Sequence, residues 1–340
     1  MKRINRKLVL AARPENLIKD SDFNLVESII PELKDQEILI QTKFLSLAPV
    51  MKFYMIDGAG FENPLQIGDT MRGRGVGEVI ESRNPNFKVG DIVNGKFGWQ
   101  EYVVSKATEY DMMYKVRQEA LSPSTALGVL GITGFTSYFG LFDVGQLQEN
   151  ENVLVSSAAG GVGSSLGFLT KIKNAQAVGL TSTDEKKALL TEKLGYDAAI
   201  NYKTEDVSAK IDEYFPGGID IYFDNVGGEI LDIALSKLKP YARVVCCGRI
   251  STYKEGGLHT HNYLLKNWHK IGATRSKMEG FFIYDYEDKF HIAEKAMTQW
   301  ILDGKLDYQE DILEGLEKMP EALNRLFEGK NVGKQLVRIS

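Results

Sequence analysis

Apolar and polar positions along the chain follow two regimes that change over near Ser122. Before that point the apolar runs are short. Residues 37–41 and 76–81 alternate or run apolar, and Glu101-Tyr102-Val103-Val104 reads the same way. Gly90-Asp91-Ile92-Val93 has the composition of a tight turn entering a strand. Glycine and proline interrupt this stretch often, as at Pro64, Gly68, Gly73, Gly75 and Gly77. Many short strands with such turns predict a compact, barrel-like β domain.

Beyond Ser122 the pattern lengthens. Residues 126–140 are small and apolar, as suits a packed helix. From Val153 strand-like and helix-like segments alternate. Strands are expected at 153–156, 177–180, 198–200, 219–223 and 244–247, with helices between them, one at 164–173, one ending at Leu194 and one at 228–239. That alternation predicts an α/β domain with a parallel, doubly wound sheet. An apolar stripe with charges opposite marks 292–302 as a helix, and 320–327 reads as one more. Residues 335–339 read as a strand that returns to the first domain. The expected division is a β domain at 1–125 with a C-terminal return at 310–340, and a nucleotide-type domain at 126–309.

The densest signal is Val153-Leu154-Val155-Ser156-Ser157-Ala158-Ala159-Gly160-Gly161-Val162-Gly163. A short apolar strand runs into a glycine-rich turn, and an amphipathic segment follows. Glycine lets the backbone turn tightly and approach a pyrophosphate without a Cβ clash. The N–H groups that open the next helix then face the phosphate charge. Strand, turn, helix and next strand together predict a dinucleotide site at Gly160, Gly161, Val162 and Gly163.

The second strand says which nucleotide. An NAD site carries Asp or Glu at that strand's end, to bind the ribose hydroxyls. Here the tip reads Gly179-Leu180-Thr181-Ser182-Thr183. Ser182-Thr183-Asp184-Glu185 fits a capping box, which assigns both acids to the first turn of the next helix. Lys186 follows at the same corner and suits the extra phosphate of NADP. Lys187 reads as a solvated surface lysine.

Charge narrows the partners. The formal net charge is -5, which gives no basis for binding nucleic acid or an anionic membrane. The basic start, Met1-Lys2-Arg3-Ile4-Asn5-Arg6-Lys7, lacks a following signal-peptide core, and no apolar run reaches membrane-spanning length. A cytoplasmic location is expected. Cys246 and Cys247, the two cysteines, are adjacent in an apolar strand and point to opposite faces. They are expected to be reduced, buried packing residues, in keeping with a reducing compartment.

The chain closely resembles the medium-chain dehydrogenase/reductase superfamily, nearly end to end. Within it, the chain is similar to the zinc-independent, NADP-dependent alkenal/one, leukotriene/prostaglandin and curcumin-reductase-like reductases. The segments that carry the likeness include Gly73-Arg74-Gly75-Val76-Gly77-Glu78-Val79, Gly98-Trp99-Gln100-Glu101-Tyr102 and the glycine turn. Asp224-Asn225-Val226-Gly227-Gly228, Met278-Glu279-Gly280-Phe281 and Gly329-Lys330-Asn331-Val332-Gly333-Lys334 continue it.

The resemblance implies a GroES-like β-barrel domain beside a Rossmann domain, an active site in the cleft between them, NADPH as cofactor, and a homodimer. It implies that Gly160 to Gly163 hold the pyrophosphate, Lys186 the 2′-phosphate, and Tyr202 the adenine end. Asn225, Cys247, Gly248, Ile250, Ser251, Tyr253, Phe281, Phe282, Ile283 and Asn331 would line the rest of the cofactor channel. One departure stands out. Where the family carries Asp-Pro-Tyr-Met-Arg, this chain reads Ala48-Pro49-Val50-Met51-Lys52, so the tyrosine and the arginine are both replaced. Residues 266–274 form an insertion on the approach to Phe281.

Zinc members of the superfamily need Cys and His ligands. This chain holds two adjacent cysteines and four histidines, with Arg72-Gly73-Arg74 where zinc members carry Gly-His-Glu. His259, His261 and His269 read as loop residues, so no metal is expected. Without one, charge in the transition state must be met by hydrogen bonds. Reduction of an α,β-unsaturated aldehyde or ketone suits that. Charge builds on the carbonyl oxygen as an enolate, and a nearby hydroxyl can donate to it. Tyr253, in the loop after the fifth core strand, is the first candidate. Tyr284 and Lys52 come second, and Tyr54 third. The alternatives are an NADPH quinone reductase and a non-catalytic NADPH-binding protein.

Overall fold

The computed structural model describes residues 3–15, 17–56, 63–117, 121–252 and 263–340. Tyr253, His259 and His261 lie outside the described residues. The chain opens with seven strands: β1 (Ile4–Leu10), β2 (Phe23–Ile29), β3 (Ile38–Ser46), β4 (Arg74–Ser82), β5 (Ile92–Lys96), β6 (Tyr102–Ser105) and β7 (Tyr114–Lys115). Helix α1 (Ile132–Phe139) follows. The chain then alternates β8 (Asn152–Val155), α2 (Gly163–Ile172), β9 (Gln176–Thr181), α3 (Asp184–Glu192), β10 (Ala198–Asn201), α4 (Val207–Tyr214), β11 (Ile219–Asp224), α5 (Gly228–Ser236), β12 (Leu238–Cys246), α6 (His269–Thr274) and β13 (Lys277–Gly280). Helix α7 (Phe290–Leu302) leads to β14 (Glu310–Glu314), α8 (Met319–Glu328) and β15 (Lys334–Arg338).

Among the described residues the alternating part forms one parallel sheet, ordered β10-β9-β8-β11-β12-β13. Helices cover both faces, so the central strands are apolar on both sides. Period two sorts their residues. Val153 and Val155 pack with Leu166 and Leu169 of α2, whereas Leu154 packs with Leu231 and Leu235 of α5. Each fully buried Val or Leu contributes about 1.5–3 kcal/mol.

Strands β3, β4, β5 and β7 join the C-terminal strands in a barrel-like sheet ordered β14-β15-β3-β4-β5-β7, with β6 also on β3, while β1 and β2 pair antiparallel as a separate two-stranded sheet. Strand β15 pairs antiparallel with β3, and β14 runs parallel to β15. The end of the chain is thus woven into the first sheet. Trp99, Met51, Leu323 and Phe327 share its core, so α8 closes that core.

Three local expectations need correction. Residues 126–140 do not form one helix. A 3-10 turn at Pro123–Leu127 comes first, and α1 starts at Ile132. The chain folds back there so tightly that a Cβ on Gly134 would lie 1.8 Å from the Val129 carbonyl oxygen. Helix α5 ends at Ser236 because β12 already begins at Leu238. The capping box is also absent. Thr183 is the cap, its side chain accepting from the Lys186 amide at 3.3 Å, which puts Lys186 where the box requires an acid.

Candidate functional site

Strand order reverses between β8 and β11: the chain leaves β8 for β9 on one side, and β11 lies on the other. In open parallel sheets, ligands bind beyond the strand ends at such a point. Polar residues of the two strand ends are tied together here. Ser156 Oγ donates to Asp224 Oδ1 at 3.2 Å and accepts from the Asn225 amide at 2.9 Å. Asn225 Nδ2 donates to the Ser156 carbonyl at 2.8 Å. Asp224 is buried and also accepts from Tyr222 Oη at 2.9 Å, Val226 N at 3.0 Å and Gly227 N at 2.9 Å. Burial pushes its carboxyl above the usual range, while these donors pull it down. Asp224 therefore serves as a scaffold for both turns.

The glycine turn sits on this scaffold. A Cβ on Gly163 would lie 2.4 Å from the Ser157 carbonyl oxygen and 2.6 Å from Ala158 Cα, so the start of α2 accepts only glycine. Tyr196 Oη donates to the Gly163 carbonyl at 2.6 Å and fixes the first turn of α2. The segment before β15 docks on the other side. Gly333 N donates to the Ala159 carbonyl at 2.8 Å. Asn331 is buried, and its Nδ2 donates to the Gly333 carbonyl at 3.0 Å.

At the second strand end, Lys186 Nζ donates to the carbonyls of Gly329 and Asn331, each at 2.7 Å. It thereby clamps the same segment, and burial lowers its pKa. Asp184 turns toward β10, where its Oδ1 accepts from Asn201 Nδ2 at 2.8 Å. The strand tip itself, Leu180-Thr181-Ser182, carries no acid. Tyr202 follows β10 and is 40% exposed. This corner suits a dinucleotide with a 2′-phosphate. Lys187 is not a solvated lysine: its Nζ is bound by Glu205 at 2.8 and 2.9 Å, a pairing across two elements.

A cleft of about 810 Å³ lies between the two sheets. Ser46, Ala48, Val50, Met51 and Tyr54 line it from the barrel side. Cys246, Cys247 and Gly248 line it at the end of β12, and Phe281, Phe282, Ile283 and Tyr284 after β13. The glycine turn abuts it through Thr133 and Lys334, which lie 3.1 and 3.5 Å from where a Gly161 Cβ would stand. The cysteines do face opposite sides of the sheet, but both are half-buried and line the cleft rather than the core alone. Burial pushes their thiols up, to about 11 for Cys246 and about 12 for Cys247.

Not every expected residue reaches the cleft. Lys52 is 2% exposed, and its Nζ lies 5.6 Å from the centroid of the Phe327 ring in α8, outside the cleft lining. It occupies the packing between the 3-10 turn Pro49–Met55 and α8. Ile250 and Ser251 are not among the cleft-lining residues: Ile250 packs on the barrel core, and the exposed Ser251 donates through Oγ to the Val226 carbonyl at 2.5 Å. Tyr284 lines the cleft beside Phe282, ring centroids 5.3 Å apart. Sequence reasoning overlooked Lys334 and Glu310. Lys334 is buried, and its Nζ donates to the Leu47 carbonyl at 2.8 Å. Glu310 accepts from Ser124 Oγ at 2.8 Å. Lys334 ends the segment 329–334 that carries the family likeness, but nothing local shows what either residue contacts, since their partners are far away in sequence. Among the described residues, no group of three or more His, Cys, Asp or Glu is placed to hold a metal ion.

A nucleotide-type sheet joined to a barrel-like sheet across an apolar cleft defines a medium-chain dehydrogenase/reductase, and the chain belongs to that family. Residues 6–113 match the family model for the N-terminal domain of oxidoreductases, and residues 161–299 match the model described as zinc-binding dehydrogenase. The chain is 36% identical to the NADPH-dependent curcumin reductase of Escherichia coli, over all of this chain (100%) and 98% of that one. It is 36% identical to the NADP(+)-dependent 2-alkenal reductase of Nicotiana tabacum, over 99% and 98% of the two chains. The crystal structure of CurA from Vibrio vulnificus in complex with NADPH superposes with a TM-score of 0.91 at 36% identity, covering 98% of this chain and 99% of that one. Within the family, these relatives put the chain in the branch of NADP-dependent alkenal/one and curcumin reductases.

Proposed function

We propose that this protein reduces the carbon–carbon double bond of α,β-unsaturated aldehydes and ketones with NADPH and without a metal. The observation that carries this reading is the meeting of the glycine turn with an apolar cleft whose far wall bears a tyrosine hydroxyl. The relatives named as curcumin and alkenal reductases support it. NADPH, when bound, supplies the hydride that the β carbon receives.

The chain's own residues do the rest. Gly160, Gly161, Val162 and Gly163 hold the pyrophosphate against the N–H groups of α2. Lys186 receives the 2′-phosphate with the proton not committed to the two carbonyls. Tyr202 flanks the adenine. Asn225, Cys247, Gly248, Ile250, Ser251, Phe281, Phe282, Ile283 and Asn331 bound the channel. Tyr284 donates a hydrogen bond to the carbonyl oxygen as negative charge gathers there, and Phe281 keeps water off the reacting carbons. Tyr253, the first donor candidate from the sequence, lies outside the described residues.

The test is loss of NADPH absorbance with the purified protein against enals, enones and quinones. Turnover of enals and enones is expected. Turnover of quinones alone would make the protein a quinone reductase, and tight NADPH binding with no turnover a binding protein.

We also infer a division into 1–125 with 310–340 and 126–309, a cytoplasmic location and a homodimer. Two free cysteines suit a reducing compartment. Among the described residues no helix is long and apolar enough to cross a membrane. Strand β13 is an edge of the parallel sheet and bears Met278, 38% exposed, which suits pairing with a second copy. Sedimentation at micromolar concentration tests the dimer.

A further inference from the structure

Reduction of the double bond consumes a proton as well as a hydride, and that proton must reach an apolar cleft. A line of polar groups runs from the surface to the cleft wall. Ser122 is exposed, and its Oγ lies 2.7 Å from Ser124 Oγ. Ser124 is 1% exposed and donates to Glu310 Oε2 at 2.8 Å. Glu310 on β14 pairs with Lys334 on β15. Both side chains pack beside Gly128, where a Cβ would stand 3.6 Å from Glu310 Oε1 and 3.5 Å from Lys334 Cγ. Lys334 ends the line and lines the cleft. Its Nζ reaches the Leu47 carbonyl, between the cleft-lining Ser46 and Ala48.

Two details set this line apart from ordinary packing. Glu310 Oε1 is buried and, among the described residues, accepts no hydrogen bond, an arrangement that costs stability. It is the oxygen beside Gly128 and the Lys334 stem. Lys334 gives one of its three N–H bonds to Leu47, which leaves two for other partners. Burial lowers the lysine's proton affinity and raises the acid's, which brings the two closer and eases exchange between them. Hydroxyl groups both donate and accept, so Ser122 and Ser124 can pass a proton along.

We propose that Lys334 protonates the α carbon of the substrate and is recharged from solvent through Glu310, Ser124 and Ser122. This rests on the reductase reading of the cleft. An N–H bond of the ammonium breaks as the α C–H bond forms, which quenches the enolate and leaves a neutral amine. Glu310 takes a proton on Oε2 from Ser124, its carboxyl group turns, and the proton passes to the amine. Ser122 hands Ser124 a proton drawn from water. The sum is one solvent proton for each hydride from NADPH. Lys334 touches the substrate, whereas Glu310 and Ser124 are positioning residues that act through it.

The experiment follows an aliphatic enone by NADPH oxidation in wild type, Glu310→Gln, Ser124→Ala and Lys334→Gln. It is run in ordinary and heavy water, and with deuterated NADPH. Each variant should lose roughly 10- to 100-fold in kcat, with KM and NADPH affinity close to wild type. The solvent isotope effect should rise, and the effect of the deuterated cofactor should shrink, because proton delivery becomes the slow step. Unchanged kcat in Glu310→Gln and Ser124→Ala overturns the route. A fall in kcat with both isotope effects unmoved also overturns it, since lost packing alone does that.

A second measurement needs no hydride. In heavy water the NADP-loaded wild type should exchange the α hydrogens of the corresponding saturated ketone for deuterium, read by mass spectrometry. Glu310→Gln and Lys334→Gln should lose most of that exchange. Exchange that depends on Glu310, with no enone reduced by the wild type, would keep the route and remove the reductase reading. Equal exchange in wild type and variants would overturn the route even where enones are reduced. Neither reduction nor exchange by the wild type would remove both.

Discussion

Lys334 gives the sharpest physical prediction. It is buried where β15 meets the glycine turn, and its ammonium donates to the Leu47 carbonyl of the barrel side. Burial lowers its pKa to about 8 from the ordinary 10.5, against the pull of Glu310. Glu310 shifts the opposite way, upward, for the same reason, so each group pays for desolvation more than the pair regains. The gap between 10.5 and about 8 corresponds to about 3 kcal/mol against the charged form. Below about pH 8 both the folded and the unfolded chain hold the proton, and the full cost is present. As pH rises from about 8 to 10.5 the folded chain releases the proton before the unfolded chain does, so stability should rise. Between about pH 7.5 and 9.5 that gain amounts to about 2 kcal/mol. Urea unfolding followed by tryptophan fluorescence in wild type and Lys334→Met measures it. The wild type should gain this increment over the variant at the higher pH. Parallel pH dependence in the two proteins would refute the assignment of a titrating buried lysine.

Three further expectations concern the site. Lys186→Ala should weaken NADPH roughly 10- to 100-fold more than NADH. Both should lose some affinity, because the clamp on Gly329 and Asn331 goes too, and equal losses in fluorescence titrations would remove the phosphate role. Gly163→Ala forces a Cβ against the Ser157 carbonyl and should destabilise the fold by about 1–3 kcal/mol and abolish measurable NADPH binding. Thermal melts with intact cofactor affinity would contradict that. Tyr284→Phe should lower kcat about 100-fold with little change in NADPH affinity. An unchanged kcat, with a fall in Tyr253→Phe measured beside it, would move the donor to Tyr253.

Much of the molecule was readable before folding. The strand–glycine–helix sequence at 153–163 marked the nucleotide turn, because only glycine fits a backbone that close to itself, as Gly163 shows. The missing acid at 179–183 survived too, since Asp184 is drawn to Asn201 and away from the strand tip. The same local reasoning failed for Thr183, where two adjacent hydroxyl residues could each cap α3 and only the path of β9 selects one. It failed for Lys52 as well. A lysine in a substrate-side segment reads as a catalytic candidate, and nothing nearby shows that α8 lies against it.

Local periodicity and backbone sterics act over a few residues, so the sequence alone determined the alternating elements, the glycine cradle and the acid-free corner. Which side chains face the cleft depends on contacts between residues far apart in the chain, such as Lys334 with Leu47 and Ser124 with Glu310. Only the packed tertiary structure decides those contacts, because burial and charge compensation exist only once the two sheets have met.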